Sequence, residues 1–211
     1  WTINVGGSGG ASGKGGNVSV SNGGTIRTSG DSGTAIFAQS IGGGGGSGGD
    51  GAQGLLTSLT VAGSDSGGGK GGDIDVSSTG AIATAGDGAM GIFAQTVGGG
   101  GGSAGDIEGS VVTELVDLLE TFGALVAQKA DGAKGGNGGD VAITVGAAGS
   151  ITTGGQDAHG IWAQSVGGGG GAQGEISSGM AEDGVNAGIG STGADGNAGY
   201  VNIAVDGAIT T

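Results

Sequence analysis

The chain has 211 residues, of which 62 are glycine, and it contains no proline and no cysteine. Collagen is excluded because its triple helix needs glycine at every third position and abundant proline. The net charge of −14, with only five Lys and Arg residues, argues against nucleic acid or an anionic membrane surface as a partner. No apolar run is long enough to span a bilayer.

A glycine-rich unit recurs along the chain. Three segments align without gaps, namely AIFAQSIGGGGGSGGD from Ala35, GIFAQTVGGGGGSAGD from Gly91 and GIWAQSVGGGGGAQGE from Gly160. The opening WTINVGG matches part of the same segment, with Trp1 on Trp162 and Val5 on Val166. The last copy stops within a unit, so we expect the chain to come from a longer repeat array.

The repeats divide the chain into one array without separate domains. The predicted units are 1–12 (partial), 13–68, 69–137, 138–195 and 196–211 (partial). Each unit also contains a second shared pattern, exemplified by GKGGNVSVSNGGTIRTSG from Gly13 and GKGGDIDVSSTGAIATAG from Gly69. Disorder would account for the glycine content, but it would not account for apolar runs that return in the same register.

Within a unit, alternating apolar residues predict short strands. Val18 and Val20 alternate with serines, and the same period of two returns in every later unit. A second short strand is predicted around Ile26, Ile82, Ile151 and Ile209, and the IFAQS run forms a third. Three strands with glycine corners make one coil, and parallel stacking of coils predicts an all-β, right-handed parallel β-helix or β-solenoid.

Stacking in register turns sequence repeats into rows of like side chains about 4.8 Å apart. The predicted rows are aromatic, aliphatic and amide, the last with each glutamine bonded to the next. They comprise Phe37, Phe93, Trp162 and Trp1; Ile41, Val97 and Val166; and Gln39, Gln95 and Gln164. The pentaglycine segments would stack as a strip without side chains, where the backbone either turns tightly or is approached closely by another layer.

Insertions are predicted after the glycine strip, at residues 47–68 and 172–195, the first with a possible extra strand at LTVAG. A third, from Asp106 to Lys129, spaces apolar residues by three and four and predicts an amphipathic α-helix over about 107–128. This helix would pack on the flank of its own solenoid or bind a partner.

The sequence predicts no enzyme, no catalytic residue, no cofactor and no metal site. With no cysteine and one histidine, it lacks the residues for thiol catalysis and for histidine-rich metal sites. His159 stands at a variable position and is expected on the solvated surface. Gly135 to Ile143 resembles a calcium-binding β-roll nonapeptide, but Ala142 departs from it, and Asn17 and Asp73 align with Asp140. Backbone capping by these residues is therefore preferred over weak calcium binding at Asp140.

The GIFAQSxGGGGG unit resembles the glycine-rich repeats of the very long passenger regions of bacterial autotransporter (type V secreted) adhesins. The resemblance covers nearly the whole chain outside the insertions. It implies an exported right-handed parallel β-helix at the bacterial cell surface. The absence of cysteine agrees with export across the outer membrane.

These observations favour a structural, adhesive extracellular protein whose repeats build a stiff stalk or fibre. Its partners would be a host or surface ligand, or neighbouring copies of itself, without insertion of this segment into a membrane. The alternative is a β-helix domain that binds or cleaves carbohydrate, which would need carboxylates and an aromatic subsite on one face. A third hypothesis, an ice- or mineral-binding surface, would need outward threonines, for which one row is available: Thr28, Thr84, Thr153 and Thr211.

Overall fold

The structure is a computed structural model that describes residues 2–53, 57–61, 63–64, 66–109, 126–128, 131–173, 176–178 and 193–211. Within these ranges the chain consists of short strands and extended segments, and no helix is present. No helix that could cross a bilayer is found among these residues. The predicted all-β class is confirmed, and every strand pairing is parallel.

Seventeen strands are assigned in the described part of the chain. They are β1 (Thr2–Val5), β2 (Val18–Asn22), β3 (Ile26–Thr28), β4 (Ile36–Ile41), β5 (Gly51–Gln53), β6 (Thr57–Val61), β7 (Ile74–Ser78), β8 (Ala81–Thr84), β9 (Ile92–Val97), β10 (Ile107–Gly109), β11 (Val126–Gln128), β12 (Val141–Val145), β13 (Ser150–Thr153), β14 (Ile161–Val166), β15 (Ile176–Ser178), β16 (Val201–Val205) and β17 (Ala208–Thr210).

Each strand pairs with its own copy from the next repeat. The first core sheet has the order β16-β12-β7-β2, the second β17-β13-β8-β3 and the third β14-β9-β4. Consecutive strands of the chain therefore belong to different sheets, and each repeat contributes one layer. Gly136 lies over Gly69, the first residue of the preceding unit. The unit predicted to begin at residue 138 therefore begins at residue 136.

The core is a narrow space between the three core sheets. Alternation along the strands turns Ile and Val of the first two sheets inward, where Ile74, Val76 and Ile82 are at most 1% exposed. The third sheet contributes Ile36 and Ile92 together with the small residues Ala38 and Ala94. Burial of Ile and Val side chains supplies about 1.5–3 kcal/mol each relative to exposure.

The glycine-rich segments form two extended arms in every layer. We call residues 42–50, 98–106 and 167–173 the outgoing arms, and residues 6–17, 63–73, 131–140 and 193–200 the return arms; residue 65 lies outside the described part. Hydrogen bonds between the arms recur at every third residue, with Gly43, Gly46 and Gly49 donating to Gly13, Gly10 and Gly7. The partner number falls as the donor number rises, so the two arms are antiparallel.

A zigzag of backbone hydrogen bonds joins all layers through the arms. Each N–H in it donates to a carbonyl of the opposite arm, and that arm donates onward to the next layer. The N···O distances lie between 2.7 and 2.9 Å along Gly13, Gly43, Gly69, Gly99, Gly136, Gly168 and Gly196. The arms bond to each other at every third residue, and their described residues form no backbone hydrogen bonds within one arm. This pattern is typical of the polyproline II helix, which has three residues per turn.

Two of every three arm residues face another backbone and the third faces solvent. A Cβ added at Gly99 or Gly136 would lie within 3.0 Å of backbone atoms of Gly43 or Gly69, whereas at Gly100 the nearest atom is 3.9 Å away. Of the two explanations for the pentaglycine, close approach is correct. Among the described residues, positive φ occurs at one corner of each layer, at Ser32, Gly88 and Asp157.

Two outer sheets lie at the far end of the arms, and their pairing tests several of the predictions. The orders are β1-β6-β11 and β15-β10-β5. Val5 pairs with Val61, so its alignment with Val166 is wrong, while Trp1 lies outside the described residues. The strand predicted at LTVAG is confirmed as β6. Gly51–Gln53 and Thr57–Val61 within 47–68, and Ile176–Ser178 within 172–195, therefore belong to the regular layers, because they pair with copies in other repeats.

The ends of the predicted helix over 107–128 are also wrong. Ile107–Gly109 and Val126–Gln128 are strands β10 and β11, each paired with strands of neighbouring layers. The pairing of β10 with β5 and β15, and of β11 with β6, overrides the local helical periodicity at these positions. Residues 110–125, the middle of the prediction, lie outside the described residues.

We expect Gly99→Ala to destabilise the protein by about 1–3 kcal/mol, the usual cost of overpacking, because the new Cβ meets the backbone of Gly43. Gly100→Ala is the matched control in the same arm. Its Cβ enters open space, so it should be neutral or should stabilise by about 0.4–1 kcal/mol through the unfolded chain. Urea unfolding monitored by circular dichroism measures both, and equal losses would contradict the arm packing.

Candidate interaction face

The outward side of the third core sheet carries the large side chains that the core does not use. In β4 the residues Ile36, Ala38 and Ser40 point inward, and Phe37, Gln39 and Ile41 point outward. The same alternation recurs in β9 and β14, because the three strands are paired residue for residue. We call this surface, together with the adjoining outgoing arms, the outer face.

The aromatic row on this face is confirmed for the described residues. Phe37 and Phe93 stack with ring centroids 4.8 Å apart and an interplanar angle of 7°. Trp162 pairs with Phe93 in the backbone register. Phe37 is 61% and Trp162 41% exposed, so the row faces solvent and the aromatic rings contribute little to the core. His159 is exposed, as predicted, and lies beside Trp162 at a centroid distance of 5.2 Å.

The predicted amide row is present with its hydrogen bonds. Gln39 Nε2 donates to Gln95 Oε1, and Gln95 Nε2 donates to Gln164 Oε1, both at 2.7 Å. Gln95 therefore both donates and accepts within the row, while Gln39 donates and Gln164 accepts. These bonds leave fewer amide groups without a partner than three separate glutamines would have. The free-energy cost of covering the row with an apolar surface is therefore lower.

Beside the amide row lie the aliphatic row and then two rows with little or no side chain. Ile41, Val97 and Val166 are in register, and Ile41 is 56% exposed. The solvent-facing arm positions that follow are Gly44, Gly100, Gly169, Ser47, Ser103 and Ala172. Residues 37–49, 93–105 and 162–173 contain no charged side chain. The outer face is therefore uncharged on a strongly acidic chain.

Buried hydroxyl groups behind this face fix the third core sheet to the return arms. Thr96 Oγ1 donates to the Gly72 carbonyl and accepts from the Gly139 N–H, both at 2.9 Å. Ser40 and Ser165 make the equivalent pairs of bonds in their own layers. This role of the hydroxyl groups was not predicted from the sequence. The available signal was a Ser or Thr at the inward position of a strand that ends in glycine.

The threonine row required by the third hypothesis faces inward at Thr84 and Thr153. Thr84 and Thr153 are each 4% exposed, and their hydroxyls donate to the carbonyls of Ala89 and Ala158 at 2.8 and 2.9 Å. These two positions therefore do not supply the outward threonines that this hypothesis needs. The inward orientation follows from strand alternation, since Ile82 and Ile151 two residues earlier lie in the core.

Asn and Asp side chains cap the backbone of the adjacent layer. Asp73 N–H donates to Asn17 Oδ1, Asp140 N–H to Asp73 Oδ1 and Tyr200 N–H to Asp140 Oδ1, at 2.8 to 3.0 Å. This row lines an open groove of about 420 Å³. Capping is the role preferred from the sequence. The described residues contain no group of three His, Cys, Asp or Glu placed to hold a metal ion.

Hydrogen bonding lowers the pKa of Asp73 below its ordinary value of 3.8. The main cause is the bond from the Asp140 backbone N–H, and the bond from Lys70, whose Nζ lies 3.2 Å from Asp73 Oδ1, adds to it. The carboxylate form therefore stabilises the fold above pH of about 4, and this contribution disappears as the pH falls through the lowered pKa.

We expect the wild-type protein to lose up to about 0.5 kcal/mol of stability relative to Asp73→Asn between pH 5 and pH of about 3, because the asparagine keeps the acceptor without titrating. The small size reflects the exposure of both side chains in the Lys70 pair, 48% each. Urea unfolding at several pH values measures the difference. Asp75→Asn controls for the loss of one charge, and an equal effect there would contradict the assignment.

Comparisons with known proteins give no match for this chain among protein families, curated proteins or solved structures.

Proposed function

We propose that the chain is a repeat segment of a structural, adhesive protein of the bacterial cell surface. In this proposal the layers form a right-handed parallel β-helix that continues as a stiff stalk or fibre. The observation that supports it best is that every layer repeats the same strands and the same zigzag of backbone bonds in register. No enzymatic activity is included in the proposal.

Extension follows from the pairing of each layer with its neighbours. In a repeat protein of this kind, each unit contacts only the units before and after it, so one more unit adds one more equivalent interface. β16 and β17 keep Val201, Ile203 and Ile209 in register with the core rows of the preceding layer, so the same interface recurs from layer to layer.

The geometry makes such a structure broad for its length. Equivalent glutamines are 56 and 69 residues apart along the chain but only one strand spacing apart in space, about 4.8 Å. Reach therefore requires many repeats, which agrees with the very long passenger regions that the sequence resembles. Stiffness comes from the two arms and the five strands that residues 13–68 and 69–135 each add.

Location at the cell surface is supported by the resemblance of the repeat and by the absence of cysteine from the chain. Carbohydrate binding is the second candidate function. One observation favours it: the aromatic row is exposed, and aromatic rings offer an apolar face with a defined orientation for a sugar ring.

The structural proposal predicts linear growth of chains with added repeats. Chains carrying two, four or six extra copies of residues 69–135 should lengthen by about 4.8 Å per copy at constant cross-section in small-angle X-ray scattering. Chains with the same added residues in scrambled order are the control. A radius of gyration that grows as for a flexible coil, equally in both sets, would refute the stalk.

The cell-surface proposal has a separate test. Protease added to intact cells that express the parent protein should remove the repeats, while a cytoplasmic marker protein stays intact. Repeats that become cleavable only after lysis would refute this part of the proposal and leave the scattering result unaffected.

A further inference from the structure

We propose that the outer face is a homotypic contact surface, on which a second copy of the repeat docks face to face. The inference concerns sideways pairing of two stacks and does not depend on the stalk or on its cellular location. It begins from an exposed apolar surface that internal packing does not require.

The side chains of the outer face suit a dry contact between two sheets. Stacked aromatic rings and hydrogen-bonded amide rows are the features that accompany tightly packed sheet interfaces in stacked β-structures. Here Phe37 and Phe93 stack, and Gln39, Gln95 and Gln164 bond along their row. These amide bonds remain intact when the face is covered, because they run within one chain.

Charge limits where two copies can meet. The chain carries a net charge of −14, so most approaches of one copy to another are opposed by repulsion. The uncharged stretch of the outer face is bordered by acidic residues, with Asp50 and Asp106 at the arm end and Asp31 and Asp87 at the corner. A neutral contact between copies is available at this face at a low electrostatic cost.

The relief of the face is self-complementary. Aromatic and aliphatic rows protrude, whereas the adjacent row of Gly44, Gly100 and Gly169 has no side chain, although a Cβ at Gly44 or Gly100 would find no atom closer than 3.9 Å. Internal packing therefore does not explain glycine at these positions. A two-fold axis along the stacking direction, placed between the rows, sets the aromatic row of each copy over the glycine row of the other.

The size of the face predicts a contact that strengthens with repeat number. From the aromatic row to the serine row it is about 30 Å long, and three layers make it about 14 Å wide, or about 400 Å². A stable interface buries about 800 Å² on each partner. This chain should therefore pair weakly, and about six layers should reach the area of a stable dimer.

Covalent capture tests the contact in the present chain. Because the protein has no cysteine, single cysteines can be introduced at Phe93, at Gly100 and, as the control on another exposed strand face, at Ser19. Phe93→Cys mixed with Gly100→Cys should be cross-linked by a short bismaleimide about tenfold more than Ser19→Cys alone or than either face variant alone. Circular dichroism verifies that each variant is folded.

A mixed pair that cross-links no faster than Ser19→Cys would overturn the proposal. Faster cross-linking of Phe93→Cys with itself would overturn the two-fold arrangement. Gly100→Leu provides a second measurement by sedimentation equilibrium. A leucine side chain in the glycine row should weaken self-association about tenfold, because it occupies the space for the partner's aromatic row. If association were only non-specific hydrophobic contact, the added leucine would strengthen it. A wild-type chain that stays monomeric and binds oligosaccharides through Phe37 would overturn the proposal in favour of a glycan site.

Discussion

The fold depends on the close approach of peptide backbones in the arms. Gly43, Gly69 and Gly99 donate and accept in one continuous zigzag, and a Cβ at Gly69 or Gly99 would lie only 1.9 Å from a backbone oxygen. This constraint fixes the register of every layer at once, since a shift by one residue would bring solvent-facing positions such as Lys70 into the contact. The core sheets and the outer sheets at the two ends of the arms are held in register by the same bonds.

Ordering so much glycine is costly and must be cooperative. Fixing one backbone residue costs roughly 1–2 kcal/mol of conformational entropy, and glycine loses the most freedom of all residues. The core offers few large side chains in return, so a single layer could not offset this cost. Stacking adds satisfied backbone bonds, buried hydroxyl pairs such as Thr96 with Gly72 and Gly139, and Asp or Asn caps at every interface. The stability of the fold therefore comes from the interfaces between layers and not from any single layer.

The core strands and the side-chain rows could be predicted from the sequence, because both produce recognisable patterns of side chains along it. Period-two alternation located the core strands, and the rule that each residue meets its own copy gave the bonds between Gln39, Gln95 and Gln164. The arms left almost no such signal, because glycine has no hydropathy pattern. Their period of three is visible only in the residues that interrupt glycine, such as Ser8, Ala11 and Lys14. The pairing of Val5 with Val61 was missed because Trp1 suggested a different alignment.

The two directions of growth available to this architecture use different chemistry. Along the stack, a new layer is selected by backbone bonds and by the pattern of glycine, and these are insensitive to the identity of outward residues. Across the outer face, selection rests on outward side chains alone, such as Phe37 and Ile41, which the fold does not need for its core. Outward residues can therefore change while the layers remain stacked. Folding does not require the outer face to lack charged side chains, yet it lacks them in all three layers.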